Sequence, residues 1–168
     1  MDDAEAITAQ IPHLRRYSRA LMGDRVAADD LVQDTLERAW RRFGLWRRGS
    51  DLRAWLFTIM HNLYVNQRKV TSHVQRHSDE HPAANLPGLS SQDIRLELKD
   101  LNQALQRLPD EQREVVLLIG LEQLSYDEAA KALGVPIGTV MSRLSRGREQ
   151  LRAIMNRSAF AAQLKLIK

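Results

Sequence analysis

Apolar side chains return every three or four residues along most of this chain, the period of helices that bury one face. Ile7, Ile11, Leu14, Tyr17 and Leu21 predict a first helix, closed by Gly23. Val32, Leu36, Ala39, Trp40 and Phe43 predict a second; Leu52, Trp55, Leu56, Ile59, Met60 and Leu63 predict a third. Trp40 and Trp55 fall in the apolar register and are expected in the core. Between these two helices the stretch 44–51 carries two glycines and reads as a loop, with Ser50 or Asp51 as the next helix cap. From about Thr71 to Ser91 the period stops. His, Ser, Asp, Asn, Gly and two prolines, Pro82 and Pro87, dominate there, the composition of a flexible linker. Ile94, Leu98, Leu101, Leu105 and Leu108 restart the pattern, Pro109 breaks it, and Val115, Val116, Leu118 and Ile119 resume it. No strand-like alternation appears. The expected fold is all-α: two small helical domains joined by a linker.

The segment from Leu124 to Arg148 predicts its own local structure most fully. Ser125 and Glu128 are spaced as a capping box, and Asp127 and Glu128 place acid in a first helical turn. Ala129, Ala130 and Leu133 form an inward face small enough for close helix approach. Gly134 supplies the left-handed residue that ends a helix, and Pro136 tolerates the start of the next. Val140 and Leu144 give the second helix its buried stripe, leaving Thr139, Ser142, Arg143 and Arg146 for solvent or a ligand. Two short helices about a tight turn, the second basic outside, form a helix-turn-helix suited to a DNA major groove. An ordinary helical hairpin with a basic face is the alternative.

Composition changes the picture only through its distribution. The chain has 168 residues, with 25 Lys and Arg against 21 Asp and Glu, a net charge of only +4. The bases concentrate in 41–76 and 135–168, where one acid each, Asp51 and Glu149, interrupts them. Two separate basic blocks suggest two contacts with a polyanion rather than one. Cysteine is absent, which excludes disulfides, thiol nucleophiles and thiolate metal sites and agrees with a cytoplasmic location. No apolar run approaches the ~20 residues of a membrane span, and the acidic N-terminus lacks the order of a signal peptide. Membrane insertion is not expected.

Acid is also placed. Asp30, Gln33 and Asp34 share one helix face, with Glu37 nearby. No histidine or further carboxylate joins them at metal-site spacing; capping of the helix by Asp29 is one reading left, and acid on an otherwise basic chain suits a partner other than DNA. Trp46 lies between Arg42 and Arg47-Arg48 in the glycine-bounded loop, an aromatic flanked by cations as in single-strand platforms. Asn62 sits inside a predicted helix, an unfavourable position unless its amide bonds the backbone or reads a ligand. His73, His77 and His81 recur at four, but in a Pro- and Ser-containing linker such spacing is more often coincidence, and no metal or cofactor is expected. The end of the chain, Phe160 to Lys168, is weakly amphipathic, a frayed helix or a partner contact.

Taken in order, Ala28–Trp40, Leu52–Leu63 and Leu108–Arg148 resemble the extracytoplasmic-function sigma factors of bacterial RNA polymerase, the small two-domain branch of the sigma-70 family. The resemblance covers nearly the whole chain. It implies a region 2 domain over 1–72, a linker over 73–91, a region 4 helix-turn-helix domain over 92–156 and a tail over 157–168. It further implies that Asp30, Gln33 and Asp34 dock on the clamp helices of the largest subunit of core RNA polymerase. Trp46, Arg47, Arg48 and Asn62 would bind the melted minus-ten element, with a base held out of the stack. Thr139, Ser142, Arg143 and Arg146 would face the minus-thirty-five element of promoter DNA. Met141 and Ile137 depart from the family's usual basic and acidic residues at these positions. An anti-sigma factor is the expected inhibitor, and no catalytic activity is implied. A stand-alone transcriptional regulator, with the N-terminal helices serving dimerisation or sensing, is the main rival; the Asp30–Asp34 stretch and the arginine-flanked Trp46 argue against it. A nuclease is the third, and it lacks convergent metal carboxylates or a nucleophile–base pair.

Overall fold

The computed structural model describes residues 2–74 and 92–166, all-helical apart from turns. The single first helix expected from the apolar period is two: α1 (Asp3–Thr8) and α2 (Ile11–Met22). Pro12 occupies the first turn of α2, where its missing N–H is no loss. The Thr8 hydroxyl donates back to the Ala4 carbonyl at 2.6 Å at the end of α1. The apolar register survives the break because Ile7 and Leu14 are buried on both sides of it.

α3 (Arg25–Arg42) starts well before its first expected apolar position. Asp24, not Asp29, caps it, accepting the Ala27 N–H at 2.9 Å. Its buried face is Ala28, Leu31, Val32, Thr35 and Ala39. Trp40, expected in the core, is 60% exposed, because it projects from the opposite side of the helix. A short 3-10 turn, Phe43–Leu45, leads into the loop, and Asp51 caps α4 (Leu52–Val74) by accepting the Arg53 N–H at 2.8 Å. α4 runs past the point where apolar periodicity fades. His73 lies in its last turn; His77 and His81 fall outside the described residues.

The C-terminal half contains α5 (Gln92–Arg107), α6 (Asp110–Gly120), α7 (Tyr126–Leu133) and α8 (Ile137–Leu166). The second helix of the helix-turn-helix, expected to be short, is the first part of this 30-residue α8. Good helix formers and no proline follow Arg148, so nothing in the chain stops it there.

The apolar faces meet in one continuous core. In the N-terminal half Tyr17 and Phe57 cross edge to face, with ring centroids 5.0 Å apart, and the buried Ser18 hydroxyl donates to the Ala28 carbonyl at 2.7 Å. The halves then pack on each other: α4 lies against α7, and α2 against α5 and α6. At one seam contact the Gln106 amide donates to the Ala20 carbonyl at 2.9 Å, satisfying a backbone group that the end of α2 leaves open. Gly23 makes this approach possible. Its φ is +69°, and a Cβ there would stand 2.6 Å from Gln106.

Where α6 begins, Arg68 of α4 donates twice to the Asp110 carboxylate, at 2.7 and 2.9 Å. Buried Arg113 also pairs with Asp110 and donates to the Tyr64 hydroxyl at 3.2 Å. Burial pulls the Asp110 pKa up, but hydrogen bonds and charge from Arg68, with the charge of Arg113, outweigh it and hold the pKa below the ordinary 3.8. A depressed carboxylate contributes stability above its unfolded value and loses it as acid protonates the folded state. Asp110→Asn should therefore lower the melting temperature by several degrees at neutral pH, with a gap that closes as pH falls below 3.8. A gap unchanged over that range in paired melting curves would assign the loss to packing instead.

Candidate nucleic-acid interface

The helix-turn-helix owes its geometry to the turn chemistry. The Ser125 hydroxyl accepts the Glu128 N–H at 3.1 Å, and the Glu128 carboxylate accepts the Ser125 N–H at 2.7 Å, closing the capping box. Gly134 has φ +65°; the Val135 N–H reaches the Ala130 carbonyl and the Gly134 N–H that of Lys131, the paired bonds of a Schellman end. Ala129, Ala130, Leu133, Val140 and Leu144 are buried as the spacing predicts.

This packing presents one face of α8. Ser142 and Arg146 are exposed, and Thr139 is half-buried with its carbonyl accepting the Ser142 hydroxyl at 3.1 Å. Arg143 shares their face but is not free: its guanidinium lies 3.3 Å from the Glu111 carboxylate of α6, and its side chain is only 24% exposed. Met141 and Ile137 are both exposed on another side of α8.

The loop before α4 is tightly wound. The Trp46 N–H donates to the Phe43 carbonyl at 3.0 Å, the Ser50 hydroxyl donates to the Arg47 carbonyl at 2.8 Å, and Arg48 reaches back to Asp3 at 3.0 Å. The Trp46 ring is half-buried against Phe43, with centroids 5.4 Å apart, and its indole N–H is buried without a partner. A buried donor with nothing to bond is a cost that a ligand acceptor would remove. Arg47 and Asn62 are exposed. On α3, Asp30, Gln33 and Asp34 are all exposed; Asp34 only receives the Gln67 amide at 3.5 Å, and Glu37 pairs within the helix with Arg41 at 2.6 Å.

The seam adds groups that sequence reasoning missed. Glu122, with a fully buried side chain, takes Arg16 at 3.0 and 3.2 Å and His13 at 3.0 Å. Buried Glu114 pairs with His61, the neighbour of Asn62. Desolvation raises the Glu114 pKa, opposed by the His61 contact. An apolar groove of about 770 Å³ follows the same seam, lined by Leu98, Leu101, Leu105, Val116 and Leu151 and edged by Arg15, Arg19 and Arg25. Partners 53 and 109 residues apart leave no local pattern in a sequence; an isolated acid at Glu122 beside a helix end was the only signal.

Known proteins fit this arrangement in both halves. The family model for the Sigma2 domain of PhyR matches residues 7–61, and that for sigma-70 region 4 matches 98–151. The chain is 38% identical over 149 residues to the ECF RNA polymerase sigma factor EcfG of Rhodopseudomonas palustris, covering 89% of this chain and 82% of that protein. The chain belongs to the extracytoplasmic-function RNA polymerase sigma factors. It is also 34% identical to the sigma factor SigE of Mycolicibacterium smegmatis, over 88% of this chain and 59% of that one. Its fold is similar to the sigma factor RpoE of Bartonella quintana, solved in complex with the anti-sigma factor NepR, with a TM-score of 0.80, 36% identity and coverage of 91% and 96%. CnrH, solved with the cytosolic domain of CnrY, gives a TM-score of 0.68 at 26% identity, covering 92% and 87%. Sigma factors are transcription regulators rather than enzymes. Among the described residues of this sigma factor no helix is long and apolar enough to cross a membrane, and no group of three His, Asp or Glu is placed to hold a metal.

The Glu122 clasp makes the first test of this surface. Glu122→Ala leaves Arg16 and His13 without their acceptor; Arg16 is half exposed, so screening reduces the loss to ~1–3 kcal/mol. The variant should populate a form with the halves apart, seen as a larger radius of gyration in solution scattering. A scattering curve superimposable on the parent's would show that the clasp does not hold the seam.

Proposed function

We propose that this sigma factor recruits core RNA polymerase through the exposed face of α3, binds the minus-ten element with the loop and helix from Trp46 to Asn62, and reads the minus-thirty-five element with α8. The observation that carries the reading is the separation of charge by surface. The exposed acids Asp30 and Asp34 stand side by side on one face of α3, while Arg47 and Arg146 are exposed on the two surfaces assigned to DNA. A surface that only touched DNA would gain nothing from that acidic face.

The seam bears on regulation. The two promoter elements lie about 25 base pairs apart, on the order of 80 Å at 3.4 Å per pair. With α7 packed on α4, the two DNA-reading surfaces belong to one compact body, so engaging both elements requires the seam to open. An inhibitor that covers the closed form would hold the protein off the promoter. The apolar groove edged by arginines fits an amphipathic helix with acidic flanks, the chemistry expected of an anti-sigma factor here.

The decisive experiment mixes the protein with core polymerase and a promoter library and maps RNA start sites. New promoter-specific starts support the reading; operator binding without polymerase, and no starts with it, would favour the stand-alone regulator. Asp30→Lys with Asp34→Lys should abolish co-elution with core polymerase while the melting curve stays unchanged, since reversed charge at an interface costs more than a lost rim contact. Co-elution of the folded double variant would remove these residues from the polymerase surface.

Arg146→Ala should weaken minus-thirty-five binding. A base-reading arginine alters preference at one position by ~1–3 kcal/mol, and a phosphate-binding one lowers the salt slope by about 1. Glu111→Gln should do the opposite, tightening binding by freeing Arg143. Salt titrations in which both variants match the parent would place the DNA on another face of α8.

A further inference from the structure

Among the described residues, every ion pair that crosses the seam runs the same way. His13 and Arg16 on α2, with His61 and Arg68 on α4, supply the bases; Glu122, Glu114 and Asp110 supply the acids. The N-terminal half gives only bases there and the C-terminal half only acids. Much of that acid stands in the first two turns of α6, where Asp110, Glu111 and Glu114 share one side of the helix. Within the C-terminal half, Glu111 holds Arg143 of α8 in the same manner. One acidic helix edge thus pairs with bases on both of the helices assigned above to DNA.

Arg68 is the member built for exchange. Its guanidinium meets Asp110 with two arms, Nε at 2.9 Å and Nη2 at 2.7 Å, the fork that arginine offers equally to two phosphate oxygens. Asp110 has a second cation in Arg113, whose side chain is 3% exposed against 41% for Arg68. When Arg68 leaves, Asp110 keeps Arg113, and neither carboxylate nor buried base is stranded. Arg68 also stands on the right helix. It follows Asn62 along α4 by about 9 Å at 1.5 Å per residue. Lys69 next to it is exposed and has no ion-pair partner among the described residues.

We infer that Arg68 is a DNA-phosphate ligand that extends the minus-ten surface past Asn62, and that in the closed form the Asp110 carboxylate occupies its phosphate site. The inference rests on the reading that the surface from Trp46 to Asn62 binds minus-ten DNA. Opening the seam then does two things at once. It lets the halves separate, and it turns a base that was paired internally into a free cation on the strand that α4 meets.

The test measures binding of the full chain to a fluorescent mixed-sequence single strand of about 20 nucleotides, from about 50 to 200 mM salt. Asp110→Asn should tighten binding about fivefold at low salt and steepen the slope of log affinity against log salt by about 0.7, the release that accompanies one more phosphate contact. Introduced on top of Arg68→Gln, the same change should alter affinity by less than about twofold. An equal gain with and without Arg68 would mean that Asp110 merely repels DNA from a distance, and the inference fails; it fails too if neither background gains. Arg47→Ala separates the inference from the reading beneath it, since that variant should lower the slope by about 0.7. If it does so while the Arg68 comparison is flat, the minus-ten surface stands and Arg68 is no part of it. If Arg47→Ala binds as the parent does, the surface itself is misplaced and the inference falls with it. Melting curves and scattering accompany each variant. Should Asp110→Asn unfold too early to assay, Glu122→Ala opens the seam from another contact: adding Arg68→Gln to it should lower the slope by about 0.7, and an unchanged slope overturns the inference.

Discussion

Two carboxylates of the C-terminal half, Glu114 and Glu122, are buried against bases of the N-terminal half. Everything about how this molecule presents its surfaces depends on that fact. An ionised carboxylate out of water is tolerated only with partners in place. For Glu122 these are Arg16 and His13 from α2, and for Glu114 it is His61 from α4. Because each acid comes from α6 or the turn after it and each base from region 2, the charges can be satisfied together only when the halves lie in one relative position. Apolar contact between α4 and α7 would permit sliding; the paired charges fix the register. The same pairing holds His61, while its neighbour Asn62 stays exposed.

The outer surfaces are organised by the opposite rule. There, among the described residues, charges stand exposed without ion-pair partners: Asp30 and Asp34 on α3, Arg47 in the loop, Arg146 on α8. Arg143 is the intermediate case, held by Glu111 across α6 and α8 at modest cost because the acid is exposed. A phosphate can displace such a carboxylate. If α8 reads DNA as proposed, part of the DNA-binding charge would be held in this contact until a stronger anion arrives.

What the amino-acid sequence made legible is what short-range chemistry determines. The capping box of Ser125 and Glu128, the left-handed Gly134 and the buried stripe of Val140 and Leu144 act within a few residues of each other, and the structure has them as the spacing requires. The all-α class and the family followed from period and motif order. The break between α1 and α2 was not legible, because Ile7, Ile11 and Leu14 keep one register through it. Trp40 was misplaced for a related reason. Its three-residue spacing from both Glu37 and Phe43 suits either face of α3, and bulk alone suggested the core, whereas the opposite face was already filled by small Ala28, Thr35 and Ala39. The seam was hidden altogether, since its pairs join residues up to 109 positions apart.

The chemistry of the seam also explains why it is not simply another core. A joint of Leu and Phe would bind the halves more firmly, but opening it would expose a large apolar surface to water and to other chains. Buried ion pairs behave differently. The attraction is offset by the hydration that the buried Glu122 carboxylate gives up and is screened at the half-exposed Arg16, so the closed form gains specificity with little net stabilisation. On opening, Glu122, Arg16 and His13 recover that hydration. The apolar area newly exposed is that of the α4–α7 contact and of the packing of α2 on α5 and α6. Exchange between closed and open forms is then a matter of a few kcal/mol, within reach of a partner that binds one form better by a factor of 10² to 10³, or about 3–4 kcal/mol. An inhibitor laid along the groove would hold this equilibrium closed, and a partner that binds the separated halves better would open it, without either one having to touch the clasp itself.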